Sequence, residues 1–289
     1  MNTLKIKQKI KKFVGRNSSN GRNAFVMSYF HHRLTFPNLK NPKNLSEIWI
    51  DKVLKGEINK YSYLADKYAV RDYVKRKGLG DILTPLIGVY DDVAAIDFSL
   101  FPERFALKAN FGAGKNIICT DKSQLDIEAT RTRLALWLLP YTYSYTEKHY
   151  NLIPQKIVCE EFIDDGTGGF PIDYKFMCIK GKVFCVLVCK GRKSGHADYL
   201  PYSAEWKPIY EYCKKADHSI ELINRPANLQ EMIQVAEKLS EDLDLVRIDL
   251  YSNGSRIWFG EVTLTPAGCI FPRWSIKALK EMGDAYRNN

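Results

Sequence analysis

Two runs of alternating residues near the end of the chain, Leu245–Tyr251 and Arg256–Thr263, flank the turn-forming triplet Ser252-Asn253-Gly254. Such a pattern folds as an antiparallel hairpin with one face buried. The register of that hairpin decides what its polar face can do. A three-residue loop with Gly254 in the left-handed region sets Asp249 opposite Ile257. Arg247 and Asp249 then share a face with Phe259, Glu261 and Thr263. A two-residue loop sends Asp249 and Glu261 to opposite faces. In the first register two carboxylates, a hydroxyl and a guanidinium converge, a donor set suited to Mg²⁺ with phosphate oxygens completing its shell. The alternative is an exposed polar strand face on which Arg247 pairs with Asp249 or Glu261. Val246, Ile248 and Leu250 mark the opposite face as buried in either case.

Upstream, Arg104–Ala109 and Asn116–Thr120 read as strands joined by a glycine loop, Asn110–Lys115. Gly112, Ala113 and Gly114 allow a tight loop whose amides can wrap phosphates, with Lys108 and Lys115 at its two ends. A strand rather than a helix follows, and the P-loop spacing is missing. Between the loop and the hairpin, Ile157–Ile163 reads as a strand carrying Glu160 and Glu161 into a loop, a pattern that also marks a strand emerging into solvent. Strands Asp173–Ile179 and Lys182–Lys190 are joined by a Lys180–Gly181 turn. Helices are expected from Lys67 to about Lys77 with Asp66 as cap and Gly78 as stop, over Asp126–Leu139, and over Leu229–Glu241. ILTPLIGVY reads as a strand interrupted by Pro85. The mixture of antiparallel strands and helices is α+β.

Composition narrows the function classes. With 45% hydrophobic and 26% charged residues, the 289-residue chain has the profile of a globular protein. No apolar run approaches the length of a membrane-spanning helix, and the basic start lacks the apolar stretch of a secretory leader, so a cytoplasmic protein is expected. The net charge of +10 is localised: ten cations, from Lys5 to Lys43, precede the first acidic residue, Glu47. Leu4, Ile6, Ile10, Phe13 and Val14 partly follow helical spacing among the lysines, which suits an anionic membrane face, a polyanion, or a solvated helix packed by one stripe. No nucleic-acid motif accompanies the charge. The seven cysteines form no C-x-x-C pair and sit mostly in apolar runs, as small hydrophobes do in a reducing compartment. The chain divides into a basic helical segment, 1–62, then 63–156 with the glycine loop, then 157–289 with the hairpin.

From about Pro37 to Gly283 the sequence resembles the ATP-grasp superfamily. It is especially similar to the branch linked to teichuronopeptide and other surface-polysaccharide biosynthesis. The resemblance rests on six segments in order: LADKYAVRDYV, FALKANFGAGKNII, VCEEFIDD, DYKFMCIKGK, VRIDLY and FGEVTLTPAG. It implies a fold of two α+β subdomains gripping ATP. Lys67 and Lys108 would be the ATP-contacting lysines, and Asn110, Gly112, Ala113, Gly114 and Lys115 the lid over the phosphates. Glu160, Glu161, Phe162 and Ile163 would form the hinge strand, with the Glu161 carbonyl and the Ile163 amide on adenine, and Asp164 or Asp165 near the ribose. Lys175, Lys190 and Arg192 fall where the family places cations near phosphate or substrate. Asp249 and Glu261 would hold Mg²⁺, and Arg247 would steady the transferred phosphate. The family's Glu-x-Asn is here Glu261-Val262-Thr263, which leaves Thr263 as a weaker third ligand.

The activity so implied is an ADP-forming amide ligase using ATP and Mg²⁺, with an amino acid and a uronic-acid-containing saccharide as partners. Substrate contacts are expected from the loops 191–205 and 264–275, with Arg192, His196, Tyr202 and Arg273 as candidates. Two other classes stay open. A glycosyltransferase would use Asp242-Leu243-Asp244, the one D-x-D near a strand start, and an inactive nucleotide-binding scaffold would be consistent with Thr263.

Overall fold

The computed structural model describes residues 21–140, 142–143, 145–166, 171–191, 197–214 and 220–288. The lysine-rich stretch 4–14 lies outside them. Nine strands make two antiparallel sheets among the described residues. The first contains β1 (Leu86–Tyr90), β2 (Phe105–Ala109), β3 (Asn116–Cys119) and β4 (Ile157–Glu161) in the order β1-β4-β2-β3. The second contains β5 (Asp173–Ile179), β6 (Lys182–Lys190), β7 (Asp198–Tyr202), β8 (Leu245–Ser252) and β9 (Ile257–Thr263) in the order β7-β6-β5-β8-β9. A division of the chain at 156/157 places β4 with the C-terminal half, yet its hydrogen bonds run to β1 and β2. The crossing from one sheet to the other therefore lies between Glu161 and Asp173.

Helices α1 (Gly21–Arg33), α2 (Leu45–Leu54), α3 (Val70–Arg76), α4 (Ile127–Leu138), α5 (Leu229–Ser240) and α6 (Ile276–Asn288) cover the sheets. Each follows from local chemistry. Glu47 completes a capping box with Asn44 at the start of α2, and its carboxylate also accepts the Asn38 and Lys43 amides. Asp126 caps α4 through the Ala129 amide. Asp66 accepts from the Tyr68 and Ala69 amides, but those residues form a turn, and α3 begins at Val70 rather than Lys67. Leu229, Met232, Ile233, Ala236 and Leu239 give α5 a buried stripe laid on β5, β6 and β8. Phe25, Trp49 and Ile50 of α1 and α2 are fully buried in the same continuous core as both sheets.

Turn chemistry fixes β5 to β6. Lys180 and Gly181, at φ 51° and 73°, form the two-residue connection, with Ile179 paired to Lys182. Residues 191–205, expected as a loop, contain β7, which pairs with β6.

The closing hairpin differs from its expected register. Ser252 pairs with Ile257 across a four-residue loop, because the Asn253 side chain draws the Ser255 and Arg256 amides into the turn. That register alone would separate Asp249 from Glu261. Between Leu250↔Phe259 and Asp249↔Glu261 the ladder slips by one residue, with Gly260 as the extra one. Asp249 therefore faces Glu261 rather than Ile257, and Phe259 joins Leu250 on the buried face instead of sharing the polar one. Gly260 is held to its type by close approach: an added Cβ would lie 2.8 Å from the Asp249 carbonyl oxygen. Gly260→Ala is expected to destabilise the fold by about 1–3 kcal/mol, read as a lowered urea midpoint. A midpoint equal to the parent's would remove the steric role assigned to Gly260.

Candidate active site

One cavity of about 410 Å³ is lined from both sheets, by Lys67, Lys108 and the Gly112–Lys115 loop on one side and by Lys175, Arg247, Asp249 and Glu261 on the other. Its lining holds six cations (Lys67, Lys108, Lys115, Lys175, Arg247, Arg273) against three carboxylates (Asp173, Asp249, Glu261). A net positive, strand-built cleft concentrates polyanionic ligands.

On the glycine-loop side, strand pairing aims Lys108 at Glu160. Ala106 pairs with Glu160 and Lys108 with Val158, so Lys108 and Glu160 are diagonal neighbours on one face. Their Nζ–Oε2 separation is 2.7 Å. The other Glu160 oxygen accepts from Arg71 at 2.7 Å, and Arg71 also donates to the Thr84 carbonyl. Glu160 is thus a buried carboxylate shared by two cations, not a residue emerging into solvent. Arg71 escaped the sequence reading although it lies in LADKYAVRDYV; its arginine at helical distance from a lysine gives no sign of a partner 89 residues away. Lys67 donates to the Gly112 carbonyl at 2.9 Å. Burial pulls its ammonium below the ordinary lysine value, with Glu261 opposing the shift and Lys108 adding to it. Asn110 is wholly buried and anchors the base of the loop, donating to the Pro154 carbonyl and accepting the Lys156 amide.

On the hairpin side, Arg247 is the hub. Its Nε and Nη2 donate to the two Asp249 oxygens at 2.6 and 2.7 Å, and Nη2 also reaches Glu261 Oε1 at 3.1 Å and Thr263 Oγ1 at 3.0 Å. Lys175, opposite Asp249 on β5, bridges Asp173 and Asp249 at 2.6 Å each. Burial alone would raise the Asp249 pKa, but Arg247 and Lys175 outweigh it and hold the carboxyl at about 2. Burial lowers Lys175, and the carboxylates of Asp249 and Asp173 more than restore it, so the net shift is upward.

Among the described residues no group of three or more His, Cys, Asp or Glu side chains could hold a metal ion. The cross-strand pair Asp249 and Glu261 lines the cavity, which suits Mg²⁺, an ion that takes one or two carboxylates and completes its shell with water and phosphate. Thr263 donates its hydroxyl to Glu261 and accepts from Arg247, so it braces the pair rather than lining the cavity.

The family profile described as TupA-like ATPgrasp matches residues 47–285. The chain belongs to that family. Its fold is the ATP-grasp fold, α+β with two antiparallel sheets. No curated protein matches the chain. Solved structures similar to it include the ATP-grasp ligase PsnB complexed with minimal precursor (12% identity, 78% of this chain and 62% of that one, TM-score 0.40). The D-alanine–D-alanine ligase from Bacillus anthracis is another (16%, 77% and 61%, TM-score 0.45). The L-amino acid ligase from Bacillus licheniformis covers more of this chain (13%, 91% and 55%, TM-score 0.44). The chain spans about three-fifths of the length of the first two.

Within this TupA-like ATP-grasp chain some expected site residues do not meet the cavity. Lys190 stands three positions from Leu187, which lines it, so strand alternation turns Lys190 to the other face, where it pairs with Glu221 at 2.5 Å. Glu160, Glu161, Phe162, Ile163 and Asp165 belong to the end of β4 and the segment after it, outside the lining. Phe162 lies under the Arg104 guanidinium, 4.0 Å from its ring centre, and Asp164 pairs with Arg104. Arg192 and His196 lie outside the described residues. Tyr202 is a core residue stacked on Trp206 at 4.4 Å. Asp242 is ion-paired with Lys77, and Asp244 with Lys52 and Lys180; neither aspartate lines a cavity described here. β5 and the closing hairpin thus supply Lys175, Arg247, Asp249 and Glu261 to the cavity.

After β9 the backbone takes a strained path along the cavity wall. Ala267, Gly268, Cys269 and Phe271 have φ of 49°, 59°, 67° and 52°. Each of the three residues with a side chain costs on the order of 1–2 kcal/mol there, so neighbouring interactions must hold them.

The ion cluster sets an acid limit on stability. The Asp249 pKa is depressed by folding, so its contribution is complete above the unfolded value near 3.8 and is lost as pH falls through about 2. Asp249→Asn should lose about 3 kcal/mol or more at neutral pH, because Lys175 and Arg247 are left buried with less counter-charge. It should also flatten the stability profile between those pH values. Urea titrations from pH 7 down to pH 2 check both, and an unchanged neutral midpoint would contradict the buried-cluster account.

Proposed function

We propose that this chain is an ATP-dependent, ADP-forming carboxylate–amine ligase that joins an amino acid to a uronic-acid carboxyl in surface-polysaccharide biosynthesis. The observation that carries it is the single cavity bringing a glycine loop with Lys67 and Lys108 to face Arg247, Asp249 and Glu261.

A carboxylate does not react with an amine at neutral pH, because oxide is a poor leaving group. Transfer of the γ-phosphoryl group to the carboxylate oxygen releases ADP and leaves an acyl phosphate. The amine nitrogen then attacks the acyl carbon, inorganic phosphate departs with the C–O bond electrons, and the amine gives up a proton. Lys67, Lys108 and the loop amides bind and orient the phosphates, and positioning of this kind supplies most of the catalysis in phosphoryl transfer. Arg247, fixed by Asp249, Glu261 and Thr263, presents a preorganised guanidinium to charge developing on the transferred group. Asp249 and Glu261 would hold Mg²⁺, which neutralises phosphate charge when bound. The glycine loop excludes water from the acyl phosphate. The segment from Glu160 to Ile163, with Asp165, is assigned to adenine and ribose, and Arg192 to the substrate side.

The acceptor is placed in an adjoining cavity of about 420 Å³, which shares Leu187, Tyr199, Pro272, Arg273 and Trp274 with the first. Arg273 lies 4.3 Å over the Tyr199 ring, and Lys214 adds a second cation. Cations beside aromatic faces suit an anionic, ring-bearing molecule. Six cations within residues 1–16 suit an anionic membrane face from which a lipid-linked acceptor is presented. Deleting residues 1–16 should weaken sedimentation with phosphatidylglycerol vesicles while leaving Mg-ADP affinity in place; unchanged sedimentation removes that role. No helix among the described residues is long and apolar enough to cross a membrane.

ADP release measured with Mg-ATP across a matrix of amino acids and uronic-acid acceptors tests the reading. Release should require both partners, and Glu261→Gln should lower it by about 100-fold or more. Nucleotide binding without turnover for any pair would favour a scaffold, and absence of nucleotide binding would overturn the ligase.

A further inference from the structure

The strained wall of the cavity is held from the opposite end of the sequence. Arg33, the last residue of α1, donates from Nη1 to the Trp274 carbonyl at 2.7 Å and from Nη2 to the Ile270 and Phe271 carbonyls. Two side chains of α2 extend the grip: Ser46 Oγ donates to the Cys269 carbonyl at 2.5 Å and Trp49 Nε1 to the Leu264 carbonyl at 2.7 Å. Trp49 and Ser46 are fully buried, and Arg33 is partly buried. These wall carbonyls lie outside the named strands, so they need donors from elsewhere. One guanidinium serving three of them is a task a single ammonium cannot copy.

The same clamp reaches the second cavity. The Lys214 side chain donates to the His32 carbonyl at 2.9 Å, and the Lys214 amide donates to the Arg273 carbonyl at 2.7 Å. Cys213 and Trp274 form an antiparallel bridge. The C-terminus of α1 is therefore the point at which both walls of the acceptor cavity are tied. Arg33 itself lines neither cavity.

We propose that Arg33 is a positioning residue for the acceptor side of the reaction: by holding the Ile270, Phe271 and Trp274 carbonyls it fixes the path of 267–271, which is left-handed at every residue but Ile270. That path sets Arg273 and Trp274 on the wall shared by the two cavities. The proposal rests on the ligase reading above. On the nucleotide side Lys67 and Lys108 are held by the Gly112 carbonyl and by Glu160 rather than by this clamp, so that side should respond little to it.

Arg33→Ala and Arg33→Lys, in the full chain, test it with three readouts: amide hydrogen exchange by mass spectrometry, Mg-ADP affinity by calorimetry, and steady-state ADP release with the substrate pair that supports turnover. In Arg33→Ala, exchange in 264–274 should quicken and the acceptor KM rise, each by at least about tenfold, with Mg-ADP affinity within about twofold. Exchange in β2 and β4 should stay as in the parent. Arg33→Lys should fall between, and it carries the test if the alanine variant does not fold. Unchanged exchange in 264–274, an unchanged acceptor KM, or a parallel loss of acceptor and Mg-ADP affinity would each overturn the proposal. Failure of the parent chain to bind Mg-ADP, or to turn over any carboxylate–amine pair, would instead overturn the ligase reading and leave Arg33 no reaction to serve.

Discussion

Everything on the acidic side of the cavity depends on a one-residue slip in the β8–β9 ladder. With the register set by the turn alone, Glu261 would point into the core beside Phe259 and opposite Ile248, Val262 would turn to the cleft, and Asp249 would face the cleft without Glu261. Inserting Gly260 reverses the alternation for the last three residues of β9, and Asp249, Glu261, Arg247 and Thr263 then meet on one surface. A buried carboxylate without such company would be expelled or protonated. Here Arg247 and Lys175 supply enough positive charge that Asp249 stays ionised far below ordinary acidity.

The two sides of the cleft solve the same electrostatic problem in opposite ways. Lys175 sits between two carboxylates and its charge is secured by the protein itself. Lys67 has a backbone carbonyl for a partner and another lysine nearby, and burial makes its charge less favourable than in water. An anion entering the glycine-loop side therefore finds positive charge that the fold has left under-compensated, whereas the hairpin side offers a compensated cluster with fixed geometry. That asymmetry suits a site in which phosphate binds on one side and is acted upon at the other.

Most of the local structure was legible because local residues decide it. The bounds of β5 and β6, the Lys180–Gly181 turn and the helix expected over Asp126–Leu139 depend on neighbours within a few positions. The resemblance placed Lys67, Lys108, Gly112, Ala113, Gly114, Lys115, Lys175, Arg247, Asp249 and Glu261, and all of these line one cavity, whereas Asn110 and Thr263 do not. What was missed is set by distant partners or by parity. The bulge at Gly260 reflects packing against Asp249 and Tyr251 that no alternation pattern contains. Lys190 has the right chemistry and the wrong face. Arg71 finds Glu160 across the sheet, and Arg33 finds Trp274 across 241 positions. The strand β7 was hidden because its short run, DYLPY, contains a proline, which an edge strand tolerates.

The seven free thiols, six of them buried, carry a last implication. Burial lifts the Cys159 and Cys178 thiols to about 12, so these two present almost no thiolate at neutral pH. Unfolding changes this at once, because every thiol then returns to an ordinary acidity and to solvent. An odd number cannot pair off within one molecule, so full oxidation of an unfolded chain leaves a sulfur available to join a second chain. Recovery of the native protein after denaturation should accordingly depend on a reductant, although no cysteine lines the cavity between the sheets.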